Sequence, residues 1–362
     1  MRIGIPKEIK AGEYRVGLTP ASVRELARSG HTVVVERDAG AGVGFDDACY
    51  SGAGARLVST AADVFAGADM VVKVKEPQPC EIDMLSSGQA LFTFLHLAAD
   101  REQIVRLMHS GATCIAYETV TDDRGGLPLL APMSDVAGRM SVQVGAHWLE
   151  TAQGGRGVLL GGVAGVAPAK VVIIGGGVSG TNAARMAVGL GADVTILDRS
   201  LVRLRALDEI FGPACRTLSA TAEAIEAEIL AADLVIGAVL VPGASAPKLI
   251  ARDMLARMKR GTVIVDIAID QGGCTETSRP TTHADPTFVV DGVIHYCVAN
   301  MPGAVARTAT IALNNATLPF VAEIADKGWD HAMAENPYLG TGLNIRAGSV
   351  THPAVSQAFA GG

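Results

Sequence analysis

Aromatic side chains are scarce in this sequence, at 4% of 362 residues, so the interior must be built from smaller aliphatic groups. Ala, Val, Leu and Ile supply these groups, together with 42 glycines. Parallel sheets whose two faces are covered by helices bury strands of this composition. The chain is long enough to bury a large core, and its length suggests two domains. The composition therefore favours an α/β fold.

Other features that the sequence lacks exclude whole classes of function. It has no run of Lys or Arg and a net charge of −7, so nucleic acid is not expected as a partner. The six cysteines form no Cys-x-x-Cys pair, which predicts reduced thiols and no metal site. The most apolar stretch, 157–184, contains Pro168 and Lys170 and does not predict a membrane span. Met1 leads directly into a strand-like segment without a signal-peptide pattern, and we expect a cytoplasmic protein.

Short apolar runs alternate with helical patterns along most of the chain. In the first part, strands are predicted at 2–5, 32–36, 70–75, 91–94 and 113–117, and helices at 20–29 and 100–110. A second unit has a predicted helix at 178–190 and predicted strands at 171–174, 193–197, 233–239, 263–267, 288–290 and 294–298. Helices are also predicted at 306–327 and at 134–153, the latter with Ser134 as its N-cap and Gly154-Gly155 as its stop.

This order of elements predicts two Rossmann-like domains with doubly wound parallel sheets. Residues 131–304 form a dinucleotide-binding domain, which is inserted into a discontinuous substrate and catalytic domain. That outer domain consists of residues 1–130 and 305–362, because the tail is too short to form a core of its own and is expected to pack on the first domain.

A glycine-rich turn, Gly175-Gly-Gly177-Val-Ser-Gly180, matches the pattern G-x-G-x-x-G between a buried strand and a helix. Gly175 permits the tight turn, Gly177 has no side chain to block a pyrophosphate, and Gly180 lets the helix lie close to the strand. Asp198 ends the next strand, where a carboxylate accepts hydrogen bonds from the adenosine ribose and repels a 2′-phosphate. The sequence therefore predicts a dinucleotide site that favours NAD over NADP, although the nearby Arg199 and Arg203 weaken that preference.

Two cationic positions are candidates for binding a substrate carboxylate. The planar fork of Arg15, which lies just before a predicted helix, suits a bidentate carboxylate contact. Lys73 and Lys75 fall on one face of an apolar predicted strand, with Lys75 at its carboxyl end. The alternatives are a solvated loop arginine and a snorkelling edge lysine.

Two further positions could supply proton transfer. His96 follows the predicted strand 91–94 in apolar surroundings, and imidazole titrates near neutral pH. Asp270, like Asp266, interrupts a hydrophobic run before Gly272-Gly273, and as a buried unpaired charge it would require a functional partner. A satisfied core histidine and a capped or solvated aspartate are the alternatives.

The sequence resembles the alanine dehydrogenase family in long strings that follow one another along nearly the whole chain. The matching segments are Gly4-Ile-Pro-Lys-Glu8, Arg15 with Leu18-Thr-Pro20, Val72-Lys-Val-Lys-Glu-Pro77, Phe92-Thr-Phe-Leu-His-Leu97, Ala116-Tyr-Glu-Thr119, Leu129-Leu-Ala-Pro-Met-Ser134, Gly154-Gly-Arg-Gly157, the glycine turn Gly175-Gly-Gly177-Val-Ser-Gly180, Ile236-Gly-Ala-Val-Leu-Val-Pro-Gly243, Val265-Asp-Ile-Ala-Ile-Asp-Gln-Gly-Gly-Cys274 and Val298-Ala-Asn-Met-Pro302.

The resemblance implies reversible oxidative deamination of L-alanine to pyruvate and ammonia with NAD. It implies that His96 is the general acid/base and that Asp270 assists proton transfer and orients the reacting group. Hydride would leave Cα for nicotinamide C4, and neutral His96 would activate the water that attacks the iminium intermediate. The substrate-binding residues implied by the resemblance are Arg15, Lys75, Met133 and Asn300.

The resemblance also implies a set of NAD contacts and a homohexamer built through helical surfaces, for which 306–327 and 134–153 are the candidates. Arg203 stands where the family often has lysine, and Ala220 where it often has serine, so Ala220 can contribute only its backbone or methyl group. The implied NAD contacts are Ser134, Gly175, Gly177, Val178, Ser179, Gly180, Asp198, Arg203, Ala220, Val239, Leu240, Ile267, Asp270, Val298, Asn300 and Met301.

Three other interpretations compete with this one. The chain resembles the soluble NAD-binding part of a proton-pumping transhydrogenase in fold and in several motifs, but the combination of His96 with Arg15 and Lys75 argues against that function. An amino-acid sensor that uses the fold without turnover would not need His96 and Asp270. A related lysine-pathway dehydrogenase would need room for a long side chain, which sequence does not measure.

Overall fold

The chain divides into two compact units in a computed structural model, which describes residues 1–239 and 246–361. One unit consists of Met1–Met133 and Val305–Gly362, and the other of Ser134–Ala304. The first boundary falls inside a long helix. Among the described residues, no helix is both long enough and apolar enough to cross a membrane.

Both units are built from strands and helices, whose bounds follow in chain order. The strands are β1 Arg2–Ile5, β2 Thr32–Glu36, β3 Arg56–Val58, β4 Met70–Val72, β5 Ala90–Thr93, β6 Thr113–Ala116, β7 Lys170–Ile174, β8 Asp193–Asp198, β9 Cys215–Ser219, β10 Leu234–Gly237, β11 Val263–Asp266, β12 Thr287–Val290, β13 Val293–Tyr296, β14 Leu343–Arg346 and β15 Ser349–Val350. The α-helices are α1 Pro20–Arg28, α2 Asp47–Gly52, α3 Ala61–Gly67, α4 Pro79–Ile82, α5 Arg101–Ser110, α6 Ala131–Trp148, α7 Val178–Gly189, α8 Leu201–Phe211, α9 Ala222–Ala231, α10 Arg252–Leu255, α11 Ala306–Lys327, α12 Trp329–Glu335, α13 Pro337–Gly340 and α14 Pro353–Gly361.

The sheet of the first unit has the strand order β15-β14-β6-β5-β4-β1-β2-β3. Its strands β1 to β6 are parallel, as predicted, whereas β14 runs antiparallel to both β6 and β15. The predicted parallel sheet is therefore extended at this edge by two antiparallel strands. The reason is that β14 and β15 come from the C-terminal tail, which returns to the sheet after α13 without a parallel crossover.

Alternate residues of these strands pack against two different hydrophobic layers. Ile3, Val33 and Phe92 belong to the layer that includes α1 and α11, and Val71 and Leu91 to the layer that includes α5. Because both faces are covered, the strands read as continuous apolar runs. The α/β class predicted from the composition is confirmed.

The sheet of the second unit has the order β12-β13-β11-β10-β7-β8-β9, so the strand order reverses at β7. Strands β7 to β11 and β13 are parallel, and β12 pairs antiparallel with β13. Asp291 and Gly292 connect these two strands with φ of 51° and 83°, the left-handed pair that a two-residue hairpin requires. Here too an antiparallel strand lies at the edge of the parallel sheet, and the Asp-Gly dipeptide is the sequence signal for this hairpin.

Helix α6 differs from its prediction at both ends. It begins at Ala131 and ends at Trp148, so Ser134 lies within the helix and the prediction that it is the N-cap is wrong. Pro132 explains the earlier start, because proline is tolerated in the first turn of a helix. Further along, a Cβ on Gly138 would overlap the carbonyl of Ser179, so this glycine allows α6 to lie directly against the start of α7.

Candidate active site

Arg15 lies between β1 and α1, and its side chain is 2% exposed. Its Nε and Nη2 donate to the two carboxylate oxygens of Glu13 at 2.7 and 2.5 Å, and its Nη1 lies 3.0 Å from the sulfur of Met133. The alternative of a solvated loop arginine is therefore wrong. The guanidinium is held in one plane by a neighbour two residues away, next to the predicted substrate residue Met133.

The segment that follows Arg15 is fixed by α11, almost 300 residues further along the chain. Asn314 accepts a hydrogen bond from Thr19 N at 2.7 Å and donates one to Gly17 O at 3.1 Å. A Cβ on Gly17 would overlap the carbonyl of Val72, so this segment passes directly over the end of β4. Arg15 thus lies near the carboxyl end of the strand that leads to Lys75.

Lys75 lies three residues beyond β4, because the strand ends at Val72 and not at residue 75 as predicted. Its backbone is anchored on both sides: its N–H faces Glu8 Oε1 at 3.4 Å, and its carbonyl accepts a hydrogen bond from Thr93 Oγ1 at 2.9 Å. The side chain is half-buried. The loop after β4 is therefore a fixed support for a cationic side chain.

Lys73, which the sequence grouped with Lys75 on one strand face, is instead completely buried between two carboxylates. Its Nζ lies 3.0 Å from Glu8 Oε2 and 2.7 Å from Glu81 Oε1. Burial lowers the pKa of Lys73, but the two carboxylates raise it more, so the amine stays charged. Burial also raises the pKa of Glu8. Lys73 is part of the support for the Lys75 loop, since Glu8 accepts from Val74 N at 2.6 Å.

His96 lies just beyond β5 in a left-handed backbone conformation, with φ of 52°, which is uncommon for a residue with a Cβ. The carboxylate of Glu118 holds it there by accepting from the backbone N–H of His96 at 2.6 Å and of Leu95 at 3.1 Å. The imidazole is stacked on Phe94 with the ring centroids 5.7 Å apart. Because His96 is exposed, the alternative of a buried core histidine is wrong.

The glycine turn follows β7, at the strand where the order of the second sheet reverses. Gly175 has φ of 101°, and a Cβ on Gly180 would overlap the carbonyl oxygen of Gly175. Among the described residues, none has an atom within 4 Å of a Cβ on Gly177, so they leave open the space in front of the N-terminus of α7. The positive end of a helix dipole facing an open, glycine-lined space is a site for a phosphate group.

Asp198, at the end of β8, is hydrogen bonded to this turn. Its Oδ2 accepts from Gly176 N at 2.7 Å, and its Oδ1 accepts from Ser200 N at 2.8 Å. Arg203 donates to Gly176 O at 2.5 Å and to Thr181 Oγ1 at 2.5 Å. Ala220 N donates to Asp198 O at 3.0 Å, which puts the backbone of Ala220 beside the aspartate. Asp198 and Arg203 both stabilise the shape of the turn.

Asp270 lies beyond β11 in a 3-10 helix, Ile267–Gln271, and it is exposed. The prediction that it is a buried charge is wrong, because β11 ends at Asp266 and residue 270 is the exposed position of the turn that follows. Asp266 is the buried carboxylate of this segment. Asn300 has φ of 60°, and its carbonyl oxygen lies 3.2 Å from His283 Nε2.

The remaining predicted cofactor residues also lie at or beyond strand ends of the second sheet or at the start of α7, apart from Ser134 in α6. Val178 is exposed and Ser179 half-buried, Val239 and Ile267 are half-buried, and Val298 and Met301 are buried. Leu240 lies outside the described residues.

Sequence reasoning missed three carboxylates that hold the candidate residues: Glu13 for Arg15, Glu8 for the Lys75 loop and Glu118 for His96. Their only sequence signal is position: Glu8 and Glu118 lie within matching segments, and Glu13 lies two residues before Arg15. The structure brings Arg15, Lys75, His96 and Met133 to the carboxyl edge of the first sheet. It brings the glycine turn, Asp198, Val239, Ile267 and Asp270 to the carboxyl edge of the second.

Two domain models of one protein family match successive parts of the chain. The model described as "Alanine dehydrogenase/PNT, N-terminal domain" matches residues 4–137. The model described as "Alanine dehydrogenase/PNT, C-terminal domain" matches residues 141–353. The chain is 62% identical over 359 residues to a protein of Halomonas elongata named alanine dehydrogenase, covering 99% of this chain and 97% of that protein.

Solved structures extend the likeness to the fold. A structure described as L-alanine dehydrogenase matches with a TM-score of 0.96 and 55% identity, covering 100% of this chain and 99% of that one. A transhydrogenase from Sinorhizobium meliloti matches with a TM-score of 0.83 and 28% identity, covering 98% of this chain and 100% of that one. The open glycine turn and the family together imply a dinucleotide cofactor.

Proposed function

The chain belongs to the alanine dehydrogenase/PNT family, and from this premise we propose that it is an NAD-dependent alanine dehydrogenase. The reaction is the reversible oxidative deamination of L-alanine to pyruvate and ammonia. The observation that carries the proposal is the fixed set of Arg15, Lys75 and His96 at one sheet edge, which supplies two cations for a carboxylate and one group for proton transfer.

The residues of the second unit fit a dinucleotide. Gly177 leaves open the space that a phosphate would fill, and the N–H groups at the start of α7 face it. Asp198, beside this turn, accepts hydrogen bonds from a ribose and repels a 2′-phosphate, which supports NAD over NADP. The other residues that we propose to hold NAD are Ser134, Val178, Ser179, Arg203, Ala220, Val239, Leu240, Ile267, Val298 and Met301.

The chemistry divides between the cofactor and the side chains. NAD, when bound, supplies the hydride acceptor. Arg15 and Lys75 bind the substrate carboxylate, and Met133 and Asn300 are the other residues that we propose to bind substrate. Neutral His96 accepts a proton from the water that attacks the imine carbon, and Asp270 orients the reacting group.

We further propose that the protein works in the cytoplasm as a homohexamer, with α6 and α11 as the contact surfaces. A hexamer has six times the 37.2 kDa mass of the chain, which light scattering on the purified protein measures directly. A monomeric or dimeric mass would contradict the proposed assembly without affecting the proposed reaction.

The deciding experiment measures NAD reduction with L-alanine and NADH oxidation with pyruvate and ammonia, using the isolated protein. Serine, valine and lysine are compared with alanine in the same assay. Turnover with alanine supports the proposal. Turnover with lysine alone would favour a lysine-pathway dehydrogenase, and binding without turnover would favour a sensor.

The transhydrogenase alternative has its own outcome. A transhydrogenase subunit would pass hydride to a second nucleotide and would not require pyruvate or ammonia. The 28% identity to the transhydrogenase, against 62% to the alanine dehydrogenase, favours the amino-acid reaction.

His96 is tested by the substitution His96→Ala. We expect the variant to keep its affinity for NAD and to lose most of its turnover, because it retains the glycine turn but lacks the group that activates water. NAD titration and steady-state rates give the two values. Intact turnover would exclude His96 as the acid/base.

A further inference from the structure

Asp266 is a completely buried carboxylate at the end of β11 that belongs to none of the roles assigned above. Its Oδ1 accepts a hydrogen bond from Ala268 N at 3.1 Å, and its Oδ2 accepts from Cys274 N at 2.8 Å and from Ser278 Oγ at 2.5 Å. A buried carboxylate is costly unless donors of this kind surround it. The three donors come from two separate places in the chain, before and after Asp270.

The segment between those donors, residues 267–274, is a short loop that is closed at its base. Gly273 N donates to Ala268 O at 3.0 Å, so the two arms of the loop are joined directly as well as through Asp266. Ala268 and Cys274 flank Asp270 by two and four residues. Asp270 is exposed at the outer part of this loop, whereas Asp266 lies buried at its base.

The surroundings of Asp266 admit little movement. A Cβ on Gly237, which pairs with Asp266 across the sheet, would overlap Cys274 Sγ. Gly273 has φ of 78°, and a Cβ there would lie 2.6 Å from Asp266 Oδ2. Burial and the neighbouring carboxylate raise the pKa of the Cys274 thiol, which keeps it protonated beside Asp266. The carboxylate of Asp266 is therefore enclosed by hydrogen-bond donors and by the backbone of two glycines, Gly237 and Gly273.

We propose that Asp266 is a positioning residue for the reaction, which acts by fixing the closed loop that carries Asp270. This inference rests on the proposed dehydrogenase function for its kinetic consequence. One carboxylate that accepts from both arms of a loop removes the freedom of those arms to separate. The side chain at the outer part then keeps one direction, which a proton-transfer group requires.

The test compares Asp266→Asn, Asp270→Asn and the double variant with the wild type. An amide at position 266 places an NH2 group against the N–H of Ala268 or Cys274, so one arm loses its acceptor. We expect D266N to lower kcat/KM for alanine at least tenfold. We expect the double variant to match D270N within about twofold, because the loop no longer carries a carboxylate to position.

Asp233→Asn is the matched control. Asp233 is also a buried carboxylate of this unit, but it lies before β10 and accepts from Lys170 N at 2.9 Å and from Lys259 Nζ at 3.0 Å. We expect D233N to lower the thermal midpoint as D266N does, while kcat/KM stays within twofold of the wild type. If the fold-losses of kcat/KM in D266N and D270N multiplied in the double variant, the two residues would act independently, and the inference would be overturned.

Hydrogen exchange gives a second readout that does not depend on activity. In D266N the amides of residues 267–274 should exchange at least tenfold faster than in wild type, and in D233N they should not. Unchanged exchange in D266N would overturn the inference. An inactive wild-type protein would instead overturn the proposed function, and the exchange result would still decide whether Asp266 holds the loop.

Discussion

At the scale of single residues, the Glu13–Arg15 pair is the feature that changes most between sequence and structure. Arg15 was a candidate for a substrate carboxylate because of its planar fork, and the structure shows one edge of that fork on Glu13. Both side chains are buried. Glu13 therefore sets the direction of the guanidinium and offsets its charge, so that Nη1 is aimed away from Glu13 and toward Met133.

The substitution Glu13→Gln tests this pair. The amide cannot accept two charged hydrogen bonds, so Arg15 loses its fixed plane. We expect KM for alanine and for pyruvate to rise roughly tenfold, which corresponds to about 1.4 kcal/mol, with the affinity for NAD unchanged. Steady-state kinetics and NAD titration measure both values.

The control for this change is Glu25→Gln on α1. Glu25 is an exposed carboxylate that faces Arg28 at 3.6 Å. The same chemical change there should leave KM unaltered, because exposed pairs contribute little. An unaltered KM in E13Q would mean that Arg15 does not depend on Glu13.

At the scale of elements, two glycines of the turn have different roles, which the pattern G-x-G-x-x-G does not distinguish. Gly180 is required by packing, because a Cβ would overlap Gly175 O. Gly177 is not, because a Cβ there meets no atom of residues 1–239 or 246–361 within 4 Å, and its φ is −65°. One glycine therefore shapes the turn and the other leaves room for a ligand.

The variants Gly177→Ala and Gly180→Ala should differ accordingly. We expect G177A to keep the wild-type melting temperature and to bind NAD at least tenfold more weakly, since its methyl group occupies the phosphate space. We expect G180A to lose about 1–3 kcal/mol of stability as well as NAD affinity, because the helix must shift. Thermal unfolding and NAD titration distinguish the two patterns.

Gly189→Ala serves as the comparison, since a Cβ there also meets no atom within 4 Å in the part of the chain that the structure describes, and it lies far along α7 from the turn. It should leave NAD affinity unchanged. If G177A bound NAD normally, the phosphate would not occupy the space in front of α7.

At the scale of the whole molecule, stability depends on buried groups that must stay neutral. His295, on β13, is completely buried, stacks on Phe288 and lies 2.9 Å from Thr277 Oγ1. Burial lowers the pKa of His295 below its ordinary value of about 6.5. The unfolded chain therefore takes up a proton at higher pH than the folded protein does.

The consequence is a loss of stability on acidification. The contribution of His295 is complete above about pH 6.5 and is lost as pH falls from there toward the lowered pKa, by at most about 1.4 kcal/mol per pH unit. In His295→Gln, the urea midpoint should fall less between pH 7 and pH 5 than in wild type. Burial also lowers the pKa of His352. Because His352 is present in both the wild type and His295→Gln, its effect on the urea midpoint cancels in the comparison.

His147→Gln is the control for this measurement, because His147 is an exposed histidine on α6. Its pH dependence should match that of the wild type. Equal slopes for H295Q and wild type would show that His295 does not limit stability in acid.

The sequence predicts the positions of regular strands and helices better than it predicts their ends. The parallel strands β1, β2 and β7 lie where periodicity predicted them, because strands buried on both faces must be apolar throughout. The ends at Val72 and Asp266 were missed, because Lys73 and Ile267 continue the local pattern and only contacts with distant segments stop the strand. Ser134 was misjudged as a cap for the same reason, since a proline at the second helical position permits an earlier start.

The sequence by itself determined the α/β class, the glycine turn with Asp198 beside it and the identity of the candidate side chains, since these depend on local pattern and residue type. Only the tertiary structure decided how those side chains are held. Asn314 reaches Gly17 across almost 300 residues, and Glu118 reaches His96 from the turn that follows β6. The physical reason is that buried polar and charged groups need hydrogen-bond partners, which come from any segment that the fold brings close. Because these partners are far apart along the chain, the sequence carries no periodic signal of the contact.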